Sequence, residues 1–522
     1  MEHHITIYLI IIVAVLLLTM VARRLHIAYP VMLVTGGVMI SFIPGFPSVN
    51  LDPALIFTIF LPPLLYEAAW YTSWKEFWKW RRVISSFAFL IVLITSLLVA
   101  YISTLLLPGF SLALGFLLGG IVSPPDAVSA SAILKHVRVP RRVSAILEGE
   151  SLLNDASSLV VFRFSLIAVN TGSFLFHEAA TSFLWIIIGG IATGIAVALC
   201  IFYLHKWLPT DINSEILITL MTPYFLFLVA EGIHVSGVLS VVTGGLFLAS
   251  KRNLFLTHSS RLQGTGVWAV LGFILNGLVF ILIGLELPVI VNNLGEVSLL
   301  QAIGYGLLIS VILMVSRVVC SLGASVFTTF ASRYIRTADS RPGWKGPLIF
   351  GWAGMRGVVS LAAALSIPVT TLAGTPFPQR NLILFITFIV IITTLIVHGV
   401  TLPMLIKFLK PEDLDHYLPV EEQEKLILKQ LSAASRNYLN ENYHTRVAED
   451  PYFRFLAAKL EFPHAGKESE AHTLKMAHID LLQQQRAWLW ELNKDINYDD
   501  EVIRKFLLLL DIEEESIRQL ER

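Results

Sequence analysis

The sequence predicts an all-α polytopic membrane protein: about thirteen transmembrane helices arranged as inverted repeats with two interrupted crossing helices, then a C-terminal helical cytoplasmic domain. Three observations predict it. The 522 residues are 55% hydrophobic and only 15% charged, with a mean hydropathy of +0.71, beyond what a water-soluble core needs. Apolar windows long enough to cross about 30 Å of hydrocarbon recur along the chain. Lys and Arg gather in alternate loops between those windows, as they do on the cytoplasmic side of a bilayer.

The windows fall near residues 5–22, 28–44, 53–71, 83–107, 111–135, 143–169, 181–207, 213–231, 235–250, 266–291, 298–328, 347–367 and 382–409. The first, within "MEHHITIYLIIIVAVLLLTMVARR", lacks a basic leader and a small-residue cleavage site, so it is expected to be retained as a span. The basic loops carry Arg23 and Arg24; Lys75, Lys79, Arg81 and Arg82; Lys135, Arg138, Arg141 and Arg142; Lys206; Lys251, Arg252 and Arg261; Arg333, Arg336, Arg341 and Lys345; and Lys407 and Lys410. The loops between them, such as "IPGFPSVN", "LPGF" and "EGIHVSG", hold almost none. An odd number of spans then puts the N-terminus outside the cell membrane and the C-terminus in the cytoplasm. Trp70, Trp74, Trp78 and Trp80 are expected to form an interfacial belt.

Residues 1–410 thus form a transmembrane domain. From Pro411 the chain turns polar, and 411–522 is expected to be a cytoplasmic, regulatory helical tail. Its segments "AHTLKMAHIDLLQQQRAWLWEL" and "DEVIRKFLLLLDIEEESIRQL" are amphipathic and need a partner surface, either their neighbours or a second copy of the chain. Lys+Arg and Asp+Glu balance at 38 each, so no nucleic-acid partner is expected. Cys200 and Cys320 lie in apolar segments and are expected to be buried free thiols. No cofactor motif is present.

Charged side chains inside such spans cost about 2.5 to 3.5 kcal/mol each at a helix centre and demand an explanation. In "LGGIVSPPDAVSASAILKH", Pro124 and Pro125 cannot donate to the carbonyls of Gly120 and Ile121, so the fifth helix should break there and leave free oxygens beside Asp126. Those oxygens and the carboxylate suit a hard cation. In the sixth span, Glu150, Ser151, Asn154 and Asp155 recur at i, i+1, i+4 and i+5, one stripe of a helix that must face protein or water. Arg317 in the eleventh span and Arg356 in the twelfth supply compensating charge. Gly351, Gly354 and Gly357 around Arg356 suggest a second interrupted helix. The fifth and twelfth spans occupy equivalent places if spans 1 to 6 and 8 to 13 are two repeats, the arrangement that marks a midplane site. Arg163 is expected to be structural, Glu148 solvated or capping, and His234 and His398 exposed or satisfied histidines.

At these residues the chain resembles the monovalent cation/proton antiporters of sodium/proton exchanger type, in the bacterial branch with an Asn-Asp motif. "SPPDAVSA" looks like the family's proline-aspartate motif, "GESLLND" matches its Asn-Asp signature, and "GWAGMRGVVSLAAALSIP" is similar to its arginine-bearing crossing helix. The three come in the family's order, and the resemblance covers about residues 5–410. It implies a homodimer in which a core domain moves against a dimerisation domain. It also implies that Asp155 binds the ion and the proton, that Asp126 lies at the crossing, and that Ser151 and the backbone carbonyl of Pro125 are further ligands. Asn154 takes the Asn position, Glu150 and Arg317 match the pair tying the sixth span to the eleventh, and Arg356 stabilises the crossing. The proline before Asp126, where many relatives carry a hydroxyl residue, removes a side-chain ligand at that position.

A carboxylate shielded from water holds a proton near neutral pH and releases it to a bound cation, so competition for one site gives exchange. The expected activity is therefore one-for-one exchange of a monovalent cation, sodium foremost with potassium or lithium as alternatives, for a proton, within a lipid bilayer. Two other classes fit paired membrane aspartates less well. An intramembrane aspartyl protease could use Asp126 and Asp155, but the chain lacks Tyr-Asp and Gly-x-Gly-Asp contexts and adds two membrane arginines. A cation channel would conduct without obligatory proton movement.

Overall fold

The computed structural model describes residues 2–25, 27–43, 56–126, 129–130, 134, 137, 139–172, 176–208, 211–292, 294, 297–334, 339 and 342–411, and isolated positions from 433 to 514. Two compact units are distinguished, Met1–Asp415 and His416–Arg522. Residues 127, 128, 131–133 and 135 of the predicted fifth span and nearly all of the tail lie outside the described residues. In the second unit, Ile479 and Leu482 are buried with Leu510 against them, and Arg486 pairs with Glu514.

The first unit is helical, with an isolated bridge between Thr370 and Pro376 and no strand among the described residues. Its helices are α1 (Glu2–Leu25), α2 (Tyr29–Ser41), α3 (Leu61–Tyr71), α4 (Trp74–Leu106), α5 (Leu112–Val122), α6 (Arg141–Thr171) and α7 (Phe176–Trp207). They continue with α8 (Ile212–Gly232), α9 (Gly237–Phe255), α10 (His258–Leu285), α11 (Leu299–Ala331), α12 (Lys345–Trp352), α13 (Val358–Leu365) and α14 (Arg380–Leu409). Seven helices among the described residues are long and apolar enough to cross a membrane.

Local chemistry explains the helix ends. Ser111, Asp211, Ser236, Thr257 and Ser298 each accept a backbone N–H of the first turn and start α5, α8, α9, α10 and α11. Pro30 opens α2, where a missing N–H costs nothing. Gly172 closes α6 in the left-handed conformation, with φ of 68°.

The helices pack in two sets. α4 lies on α5, α5 on α6, and α11 on α12 and α14; in the other set, α7 lies on α9, α8 on both, and α2 on α10. α7 turns an apolar face outward, with Trp185, Ile188 and Leu199 exposed. Cys200 is also exposed and Cys320 part-buried, so neither is the buried thiol expected from their apolar surroundings. Trp74 and Trp78 are exposed, but Trp80 is 4% exposed and belongs to the core. Helix phase is the reason: Phe77, Trp80 and Ile84 form the buried face of α4, and Trp74 and Trp78 lie to one side of it.

Candidate functional site

α5 ends at Val122, directly before Ser123, Pro124 and Pro125, and the chain there crosses a second break between α12 and α13. The two breaks are joined by backbone: the Asp126 N–H donates to the Met355 carbonyl at 2.7 Å. Asp126 Oδ2 accepts from the Ser129 hydroxyl at 2.7 Å and from its N–H at 3.4 Å. Gly357 is required by this approach, since a β-carbon there would run into the Asp126 carboxylate.

Arg356 closes the crossing. Its Nε donates to the Val122 carbonyl at 2.9 Å, Nη1 donates to the Gly354 carbonyl, and its own N–H donates to Thr394 Oγ1 at 3.2 Å. One fully buried guanidinium thus satisfies orphan carbonyls at the C-terminal ends of α5 and α12, where positive charge is favoured.

α6 passes beside the crossing and presents the polar stripe to it. Glu150 and Asn154 are 0% exposed and Asp155 is 6% exposed. Asn154 Nδ2 donates to the Pro125 carbonyl at 2.8 Å, tying α6 to the break in α5. The Pro125 oxygen therefore already accepts one hydrogen bond and keeps one lone pair for a further partner. Ser151 stands one turn before Asp155 and is part-buried. Arg317 Nη2 donates to Glu150 Oε2 at 2.7 Å, with both side chains out of solvent.

Asp126 and Asp155 lie within electrostatic reach of each other. Around them, Glu150 Oε1, Asn154 Oδ1, Arg317 Nε and Arg356 Nη2 are buried atoms with no hydrogen-bond partner. Among the described residues no group of three or more His, Cys, Asp or Glu could hold a metal. The donors at the crossing are oxygens of carboxylate, hydroxyl, amide and backbone, which suit a hard monovalent cation as cargo.

Sequence reading missed several partners. Thr394 sits in "IITTLIVHG" without signalling that it would hold the Arg356 N–H. Glu231 pairs with Arg163 at 2.6 Å. Glu67, within "PPLLYEAAW", is accommodated by the bare backbone of Gly272 on α10, and the cost of a carboxylate in an apolar span was a signal for it. His398 is neither exposed nor satisfied: it is 1% exposed, both ring nitrogens lack partners, and its ring stands edge-on to Trp352 at 5.3 Å.

Comparison with known proteins decides the family. Residues 10–408 match the family described as sodium/hydrogen exchanger, transmembrane. The chain belongs to the sodium/hydrogen exchanger family. It is an integral membrane protein, and its relatives are transporters rather than enzymes, which ends the protease reading. It is 35% identical over 392 residues to the sodium, potassium, lithium and rubidium/proton antiporter of Bacillus subtilis, covering 73% of this chain and 58% of that one. The chain thus spans little more than half the length of such Bacillus relatives. It is 30% identical over 383 residues to the low-affinity sodium/proton antiporter NhaS1 of Synechocystis, covering 73% and 69%. The fold is similar to that of the sodium/proton antiporter MjNhaP1 of Methanocaldococcus jannaschii, with a TM-score of 0.62 and 19% identity over 79% of this chain and 99% of that one.

Proposed function

We propose that this exchanger moves a monovalent cation, sodium foremost with potassium or lithium as alternatives, against protons by alternating access, with cation and proton competing for Asp155. The observation that carries the reading is the crossing of two interrupted helices at Asp126, closed by Arg356 and joined through the Asn154–Pro125 bond to the helix that bears Asp155. Antiporters among the relatives support exchange as the activity.

Each residue then has a task. Asp155 takes either ligand; Asp126, Ser151 and the remaining lone pair of the Pro125 carbonyl complete the oxygen set around the cation. Asn154 holds α6 against that carbonyl without adding charge. Glu150 is neutralised by Arg317 and does not titrate with transport, so Asp155 remains as the exchanging carboxylate. One carboxylate carrying either one proton or one monovalent cation moves no net charge per cycle, which makes exchange electroneutral and one for one. If only the neutralised site can cross the barrier, flux of one ion is tied to counterflux of the other.

The architecture belonging to this reading is thirteen crossings in inverted repeats, the N-terminus outside the plasma membrane and the C-terminus in the cytoplasm. The chain would work as a homodimer among membrane lipids, with residues 1–410 transporting and 411–522 regulating. Antiport in proteoliposomes, with sodium, potassium and lithium in turn and an imposed membrane potential, tests it. Exchange that ignores the potential is expected. Rates or end points that follow voltage would refute one-for-one coupling, and currents without proton movement would identify a channel.

A further inference from the structure

Beyond Asp155, α6 carries an ion pair that the exchange site does not use. Arg163 lies about 12 Å further along the axis, at 1.5 Å per residue. Its Nη2 donates to Glu231 Oε2 at 2.6 Å, near the end of α8. Glu231 Oε1 accepts the N–H of Gly237 at 3.2 Å, so the carboxylate is held by the N-terminus of α9 as well. A cavity of about 370 Å³ is lined by Ala156, Leu159 and Val160 of α6 and by Phe227 of α8. Ala156 adjoins Asp155, and the charged residues in the cavity wall are Arg163 and Glu231. The pair joins helices that pack chiefly in different sets: α6 rests mainly on α4 and α5 and α8 mainly on α7 and α9, with α9 also touching α6.

We propose that Arg163 and Glu231 form a tie between the site-bearing helix and the α7–α9 bundle, narrowing the cation's path to Asp155 from the side where α6 ends and parting when that side opens. The proposal rests on the alternating-access reading above, taken with the movement of a core domain against a dimerisation domain that the family resemblance implies. Both are positioning residues: Arg163 repels a cation, and both Glu231 oxygens are engaged. Their side chains are 43% and 32% exposed, so the tie is weak enough to break in each cycle, and its loss shifts a two-state population by about two- to fivefold.

A tie and a pair of surface charges predict different outcomes. As charges alone, Arg163→Gln would favour cation entry and Glu231→Gln would oppose it. As a tie, both substitutions widen the path. The test uses the full chain with Cys200→Ser, Cys320→Ser and Leu159→Cys, placing one thiol in the cavity wall. Its modification rate by a membrane-impermeant maleimide is measured in right-side-out and inverted vesicles, alongside the cation KM from each side.

In the vesicles that expose the end of α6, Arg163→Gln and Glu231→Gln are each expected to speed modification by about two- to fivefold. The double substitution should add nothing further, because one tie breaks once, and Arg163→Lys should stay near the parent rate. The cation KM should change on that side alone. Opposite effects of the two single substitutions, additive effects in the double, or unchanged rates would overturn the tie. Thiol modification needs no exchange, so absent antiport with these rate changes would strike the transport reading and leave the tie standing.

Discussion

Removing Glu150 should destabilise the transmembrane unit more than removing Arg317, and removing both should restore most of the loss. The pair is 2.7 Å long with side chains 0% and 1% exposed, so neither partner can recover hydration when the other goes. Breaking such a buried pair costs about 3–5 kcal/mol, whereas replacing both members with apolar groups of similar volume is near neutral. The surroundings make the two losses unequal. A β-carbon on Gly354 would meet both Arg317 and Arg356, so the two guanidinium groups lie close together, and Glu150→Ala leaves Arg317 without its carboxylate and beside a second cation. Arg317→Met leaves Glu150 facing Arg356. Equilibrium unfolding by SDS titration in mixed micelles should place Glu150→Ala near the upper end of that range and Arg317→Met near the lower. The double variant should lie within about 2 kcal/mol of wild type, a coupling of roughly 6 kcal/mol or more. Additive losses would show that the pair does not carry the energy assigned to it.

Other outcomes follow from the same geometry. Lowering the pH should raise the apparent KM for the cation, by up to about tenfold per unit, without changing the maximal rate, because proton and cation compete for one carboxylate; a falling maximal rate at constant KM in dye-quench assays would argue for separate sites. Gly357→Ala should displace the Asp126 carboxylate, cost about 1–3 kcal/mol in the SDS titration and suppress exchange; wild-type exchange would mean that the crossing tolerates a wider gap. Ending the chain before Val420 should preserve antiport and shift its pH dependence, and a protein that fails to insert would show that the tail is part of the fold.

The breaks were legible because proline and glycine write them into the chain directly. Pro124 and Pro125 remove two donors, and α5 stops at Val122; the glycines around Arg356 sit where α12 gives way to α13. The polar stripe on α6 was legible from spacing and from the cost of charge in an apolar span. What could not be read was which distant oxygen each group would meet. Arg356 binds the Val122 carbonyl across 234 positions of sequence, and Asn154 binds Pro125, partners that only the folded chain brings together. Trp80 is different, since helix phase already separated it from Trp74 and Trp78. The burial of His398 without a partner depends on how α12 and α14 meet, which periodicity does not encode.

The most direct test of the central claim is cation-driven proton movement by purified Asp155→Asn protein beside wild type in proteoliposomes. Asparagine keeps the size and one oxygen of aspartate but can neither release a proton nor balance a cation. Wild type is expected to alkalinise or acidify the lumen according to the cation gradient, and the variant, folded to the same SDS midpoint within about 1 kcal/mol, to do neither. Undiminished exchange by Asp155→Asn would contradict the assignment of Asp155 as the shared site.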